Sequence, residues 1–200
     1  MKSQVLSRPP TQAPALANCK ILESRHQYHP CHIQVPDVDK RLAAILVEEK
    51  YYSFFKVVRD GQQALEVAAK LSHRGDEITI TQTKKGYGIW IWEPEASASA
   101  PSDRPQSPVR HSVLATSKIL VFGNQYQVRQ VRVPDLEQLL MAILVDQKYY
   151  SFFKAAENGQ QALEIAAKLS QKGDELVITF EQQGYGIWVE ELEAYLATPS

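Results

Sequence analysis

Cysteine is nearly missing from this chain. Cys19 and Cys31 are the only two in 200 residues. That is too few for the disulfide framework that staples small secreted domains, and it suits a reducing cytoplasm. A marked excess of either charge is missing too. The formal net charge is -1, so no overall basic field draws the chain toward nucleic acid or anionic lipid. No apolar run approaches the roughly 18 residues that a membrane-spanning helix needs. The first eighteen residues carry Pro9, Pro10 and Pro14 and no continuous apolar core, so they do not read as a secretory signal. Leu16-Ala17-Asn18-Cys19 has the outline of a lipoprotein cleavage site, but no apolar stretch precedes it. These features predict a cytoplasmic protein without an integral membrane segment.

What the chain does have is a duplication. Val35-Pro36-Asp37 returns as Val133-Pro134-Asp135, and Lys50 to Lys56 (KYYSFFK) returns as Lys148 to Lys154. Gly61-Gln62-Gln63-Ala64-Leu65-Glu66 returns from Gly159, and Gly86-Tyr87-Gly88-Ile89-Trp90 returns from Gly184. The offset is 98 throughout, and 39 of the 62 positions in 35–96 are identical in 133–194. Solenoid repeats run about 20–50 residues, so a period this long predicts two self-contained domains. The boundaries read as a disordered tail over 1–19, one unit over 20–96, a Ser/Ala/Pro linker over 97–117, a second unit over 118–194 and a tail over 195–200. As a flexible coil the linker would hold the units about 25 Å apart on average.

Within the second unit, Lys118 to Phe122 and Gln125 to Val133, joined at Gly123-Asn124, predict a β-hairpin. Pro134 and Asp135 then suit a helix start, and Leu136, Leu139, Leu140, Ile143 and Leu144 recur at helical spacing. Tyr149 to Ala156 reads as an aromatic strand, with the alternative that it prolongs the preceding helix. Asn158 is a good N-cap for another helix, and Gly173 a good terminator. Two strands follow, 175–181 and 185–190. The predicted fold class is α+β: two tandem copies of a small ββαβαββ domain with helices packed on a mostly antiparallel sheet.

Several short patterns invite chemistry and have plainer explanations. Ser53-Phe54-Phe55-Lys56 and its copy match the S-x-x-K spacing of serine acyl-enzymes, without the companion triplets those enzymes carry. His26, His29, His32, Cys19 and Cys31 are zinc-binding types, but their spacing fits no usual pattern. Their counterparts are Asn124, Gln127, Gln130, Ser117 and Arg129, which cannot form the same site. Arg74-Gly75-Asp76 becomes Lys172-Gly173-Asp174, as a helix terminus would explain. Gly86-Tyr87-Gly88 is too short for a phosphate loop and opens no helix. No catalytic residue, metal site or cofactor is therefore assigned.

Aromatic residues are the informative feature, filling a core or offering a patch to a partner. The candidate contact residues are Tyr51, Tyr52, Lys56, Tyr87 and Trp90, with Tyr149, Tyr150, Lys154, Tyr185 and Trp188. The functional expectation is a non-catalytic, bivalent protein-interaction module, an adaptor or regulator whose protein partner is unidentified. The first alternative is RNA or single-stranded nucleic-acid binding through stacked aromatics beside Lys50, Lys56, Lys84 and Lys85. Charge disfavours it: the first unit has 11 basic and 11 acidic residues, and the second has 7 and 11. An enzyme of unrecognised class is the second alternative.

The run ALEIAAKLSQKGDELVIT followed by GYGIWV, between Ala162 and Val189, resembles small uncharacterised domains of cyanobacterial proteins. The likeness covers the second half of each unit, and implies a phototroph cytosol and no particular chemistry. A strand, an Ala-rich helix and a hairpin also loosely resemble half of a SPOR-type peptidoglycan-binding domain. The sequence shows none of the anchor or export signal which that role expects, so its function is not carried over.

Overall fold

Residues that match at an offset of 98 occupy matching places in a single mixed sheet. The computed structural model describes residues 17–36, 38–99, 114–120 and 125–197. The first unit contains β1 (Cys19–Leu22), a short 3-10 turn, β2 (His29–Val35), β3 (Val38–Val47), β4 (Lys50–Val58), α1 (Gly61–His73), β5 (Ile78–Thr83), β6 (Gly86–Trp92) and β7 (Ser97–Ala98). The second contains β8 (Ser117–Leu120), β9 (Gln127–Arg132), β10 (Leu140–Val145), β11 (Lys148–Ala156), α2 (Gly159–Lys172), β12 (Leu176–Glu181), β13 (Gly184–Glu190) and β14 (Tyr195–Leu196). Each unit orders its strands identically, β1-β5-β6-β4-β3-β2-β7 in the first and β8-β12-β13-β11-β10-β9-β14 in the second. Pairing is antiparallel except between β1 and β5 and between β8 and β12.

This corrects the predicted ββαβαββ domain. The chain is mostly strand, and α1 and α2 are the two α-helices among the described residues. The helix predicted from Pro134 does not form: Pro134 and Asp135 make a turn, and Leu140 to Val145 form β10. Short apolar runs fit both periods, and here pairing with β9 on one side and β11 on the other decides for strand. The N-terminal hairpin is also overturned. β8 joins β12, whereas β9 joins β10, so the two predicted partners never pair. The predicted turn at Gly123-Asn124 lies outside the described residues.

Other predictions agree with the structure. β11, β12 and β13 stand where the aromatic and C-terminal strands were expected. α2 is capped by Asn158, whose side chain accepts from the Gln161 N–H, and ends at Gly173 with φ at 95°. At the boundaries, Cys19 belongs to a strand and not to a tail, and β7 and β14 lie in the stretches read as linker and C-terminal tail. Of the linker, residues 100–113 are outside the described part, as are 1–16 of the N-terminal tail.

The sequence leaves open whether the two units pack together, and in the structure they do. β1 pairs antiparallel with β8 at Cys19 and Ser117, making one 14-stranded sheet. α1 and α2 lie on the same face and contact each other. Ala64, Leu65, Ala68 and Ile89 share one core with their counterparts Ala162, Leu163, Ala166 and Ile187. The opposite face is concave in each unit. Leu22 on β1 packs with Ile45, Val47 and Tyr52 from β3 and β4, which the flat strand order would keep well apart. The buried Lys20 meets Glu48 across the same curl, and Lys118 meets Asp146.

Candidate interaction surface

The repeated KYYSFFK segment needs both faces of its strand. Tyr52 packs in the concave core and Val58 in the helix-side core. Six residues apart, they would share a face on a regular strand. A bulge between Phe54 and Lys56 switches the parity: Phe54 lies opposite Trp90, and Val58 opposite Tyr87. The second unit repeats it between Phe152 and Lys154. A bulge re-aims side chains. Here it leaves the extra residues, Phe55 and Phe153, 47% and 53% exposed.

Beside each bulge stands an aromatic pair on the concave side. Phe54 meets Trp90 edge-on at 5.3 Å between ring centres, and Phe152 meets Trp188 at 5.1 Å. Both phenylalanines keep 45% of their surface exposed. The indoles are anchored from behind. Trp90 Nε1 donates to Thr81 Oγ1 and Trp188 Nε1 to Thr179 Oγ1, each at 2.9 Å. The second glycine of each Gly-Tyr-Gly makes room for that bond. A Cβ at Gly88 would lie 2.9 Å from Thr81 Oγ1, and one at Gly186 would lie 2.6 Å from Thr179 Oγ1. Lys56 lies 5.5 Å from the centre of the Phe55 ring.

The patches are not equal. One step beyond the Ala142–Ser151 pair, Met141 flanks Phe152, and Val128 and Tyr195 continue the same face toward the sheet edge. All three are more than half exposed. Their counterparts are Ala43, Pro30 and Ser97. The second unit therefore carries a broader apolar surface.

Five of the ten candidate contact residues are core residues instead. Tyr52, Tyr150, Tyr87, Tyr185 and Trp188 are 6% exposed or less. Tyr52 donates to Glu77 Oε1 at 2.7 Å, and Glu77 also accepts from Lys50. Burial and then this bond push the Tyr52 hydroxyl pKa upward. Burial pushes Tyr150 up to about 12. Tyr87 and Tyr185 rise for the same first reason, with Glu164 and Glu66 of the opposite unit adding to it. Tyr51, Tyr149 and Trp90 are half-buried, and Lys56 and Lys154 are exposed. The exposed Phe54, Phe55, Phe152 and Phe153 were not among the candidates. A Phe-Phe pair on a regular strand sends one ring to each face, and in sequence nothing marks that both rings stay accessible here.

The patterns with chemical associations come apart in three dimensions. Ser53 Oγ donates to Glu93 at 2.6 Å, while Lys56 reaches over Phe55, so the two form no serine–lysine pair. Cys19 is buried at the seam between units and Cys31 lies on β2. Burial raises both thiol pKa values. Among the described residues no three His, Cys, Asp or Glu side chains gather as metal ligands, and no helix is long and apolar enough to cross a membrane. Gly75, at φ 92°, turns the chain out of α1, as Gly173 does after α2.

No protein-family model, no curated protein and no solved structure matches this chain.

Proposed function

We propose that this protein is a non-catalytic, bivalent protein-interaction module, an adaptor or regulator. The observation that carries the reading is the pair of exposed Phe-Phe bulges at equivalent positions, Phe54-Phe55 and Phe152-Phe153. Large aromatic side chains held rigidly at a surface are the usual anchors of protein interfaces. Phe54 and Phe152 both lie on the face opposite the helices, beside Trp90 and Trp188, so one partner surface can meet both.

Bivalency here rests on fixed geometry, not on a loose tether. β4 and β11 are seven strand spacings apart in the sheet, or at most about 33 Å along it. Two weak contacts at a set distance gain about 10²–10⁴-fold in avidity when a partner repeats at that distance. We place the protein in the cytoplasm of a phototroph. Two free cysteines suit that compartment, and the likeness to cyanobacterial domains suggests the organism.

The test is quantitative affinity capture from native cells with the full chain, its F54S/F55S and F152S/F153S variants, and the combined variant. Each double variant should lose most of one common protein set, and the combined variant all of it. Undiminished capture by the combined variant rejects the reading. Capture dominated by RNA, lost on nuclease treatment or in high salt, points to nucleic acid instead.

A further inference from the structure

The seam between the units has the logic of a homodimer interface. In a closed twofold contact, residue i meets j while j meets i. Cys19 pairs with Ser117, its own counterpart. A Cβ on Gly61 would lie 2.5 Å from the Gly159 carbonyl carbon, and a Cβ on Gly159 would lie 2.5 Å from the Gly61 carbonyl carbon. Tyr87 feels Glu164, and Tyr185 feels Glu66. From Gly61 to Ser72 and from Gly159 to Ser170, the helices differ only at Val67 and Ile165. The surface each unit presents to the other is therefore nearly the surface it receives.

We propose that this seam is a self-association surface, for which the fitting partner is a second copy of the same unit. The chain is then a homodimer made continuous by its connecting residues. Two further details support interchange. Ser117 Oγ is buried without a hydrogen-bond partner. In a pair of second units it would face another Ser117, and one hydroxyl could donate to the other. Leu114, from the segment entering the second unit, is buried in the concave core of the first, and its N–H donates to Glu48 Oε1 at 2.7 Å. The second unit's concave core holds Leu120, Ile143, Val145 and Tyr150, the counterparts of Leu22, Ile45, Val47 and Tyr52. It can receive Leu114 from another copy, with Asp146 in place of Glu48.

The test keeps the full chain. A protease site is placed within residues 100–113, the folded protein is cut, and the product is followed by size exclusion and native mass spectrometry. The cut protein should keep the mass of the intact chain. After a cycle of unfolding and refolding at micromolar concentration, first–first and second–second pairs should appear beside the original mixed pair. Halves that separate as monomers, precipitate, or re-form only the mixed pair overturn the proposal. The F54S/F55S variant should exchange like the parent, since those residues lie outside the seam, so the outcome is independent of the proposed interaction role.

Discussion

Gly61 and Gly159 face each other across the seam so closely that neither position has room for a methyl group: an added Cβ would stand 2.4 Å from backbone nitrogen of the other helix. Backbone, not a flexible side chain, occupies that space, so relief requires the helices to move apart. Gly159→Ala should therefore destabilise the protein by about 2–3 kcal/mol or more, as overpacking does. Gly173→Ala is the comparison. Its Cβ meets nothing within 4 Å, and only its φ of 95° is unfavourable, so the cost should be about 1 kcal/mol. Urea midpoints for the two variants decide the order.

Tyr52 and Tyr150 should make the fold sensitive to alkali. Burial raises both hydroxyls, Tyr150 to about 12, from an unfolded value of about 10. The folded state thus keeps protons that the unfolded chain has released. This contribution is intact below pH 10 and declines as pH rises toward the folded pKa. With both tyrosines acting, the slope approaches about 2.7 kcal/mol per pH unit above pH 10. Urea melts between pH 9 and 12 should show the decline, and a Tyr52→Phe/Tyr150→Phe variant should flatten it.

The β10–β11 turn places Asp146 at φ 46° and Gln147 at φ 67° without a glycine, and β3–β4 does the same with Glu48 and Glu49. Two-residue hairpins of this shape favour Asn-Gly. Gln147→Gly should therefore raise stability by about 0.5–1 kcal/mol. Asp146→Gly should gain less, because it removes the ion pair with Lys118. A Gln147→Gly variant that melts below the parent would show that strain at this turn is not what limits stability.

Thr179→Val tests the anchor behind the aromatic pair. Trp188 is 6% exposed, so losing the acceptor strands a buried N–H and should cost about 1–3 kcal/mol. Thr81→Val should cost less, because the half-buried Trp90 can turn to water. Tryptophan fluorescence should shift to longer wavelength more in the Thr81 variant.

Much of the local structure was legible in sequence, for local reasons. Asn158 and Gly173 marked the ends of α2 because caps answer to their own neighbours. The strands around Gly184 followed from alternation broken by a turn. The Leu136 to Leu144 segment misled because its apolar spacing satisfies a helix and a two-sided strand equally. Its hairpin turn, Asp146-Gln147, lacks the glycine that would have exposed it. The candidate site was half legible. The aromatic strands were found, but tyrosines destined for the core were grouped with them, and the phenylalanines left outside were missed.

The duplication, its offset of 98 and the capped helix in each copy follow from the order of residues alone, because identity and capping answer to neighbours along the chain. Tertiary structure decided the rest. Whether an apolar run becomes helix or strand depends on neighbours that come from elsewhere in the chain. Where the register of KYYSFFK breaks depends on how β4 and β11 pair with β6 and β13. How closely the two helices approach depends on glycines whose missing side chains matter only where two backbones meet.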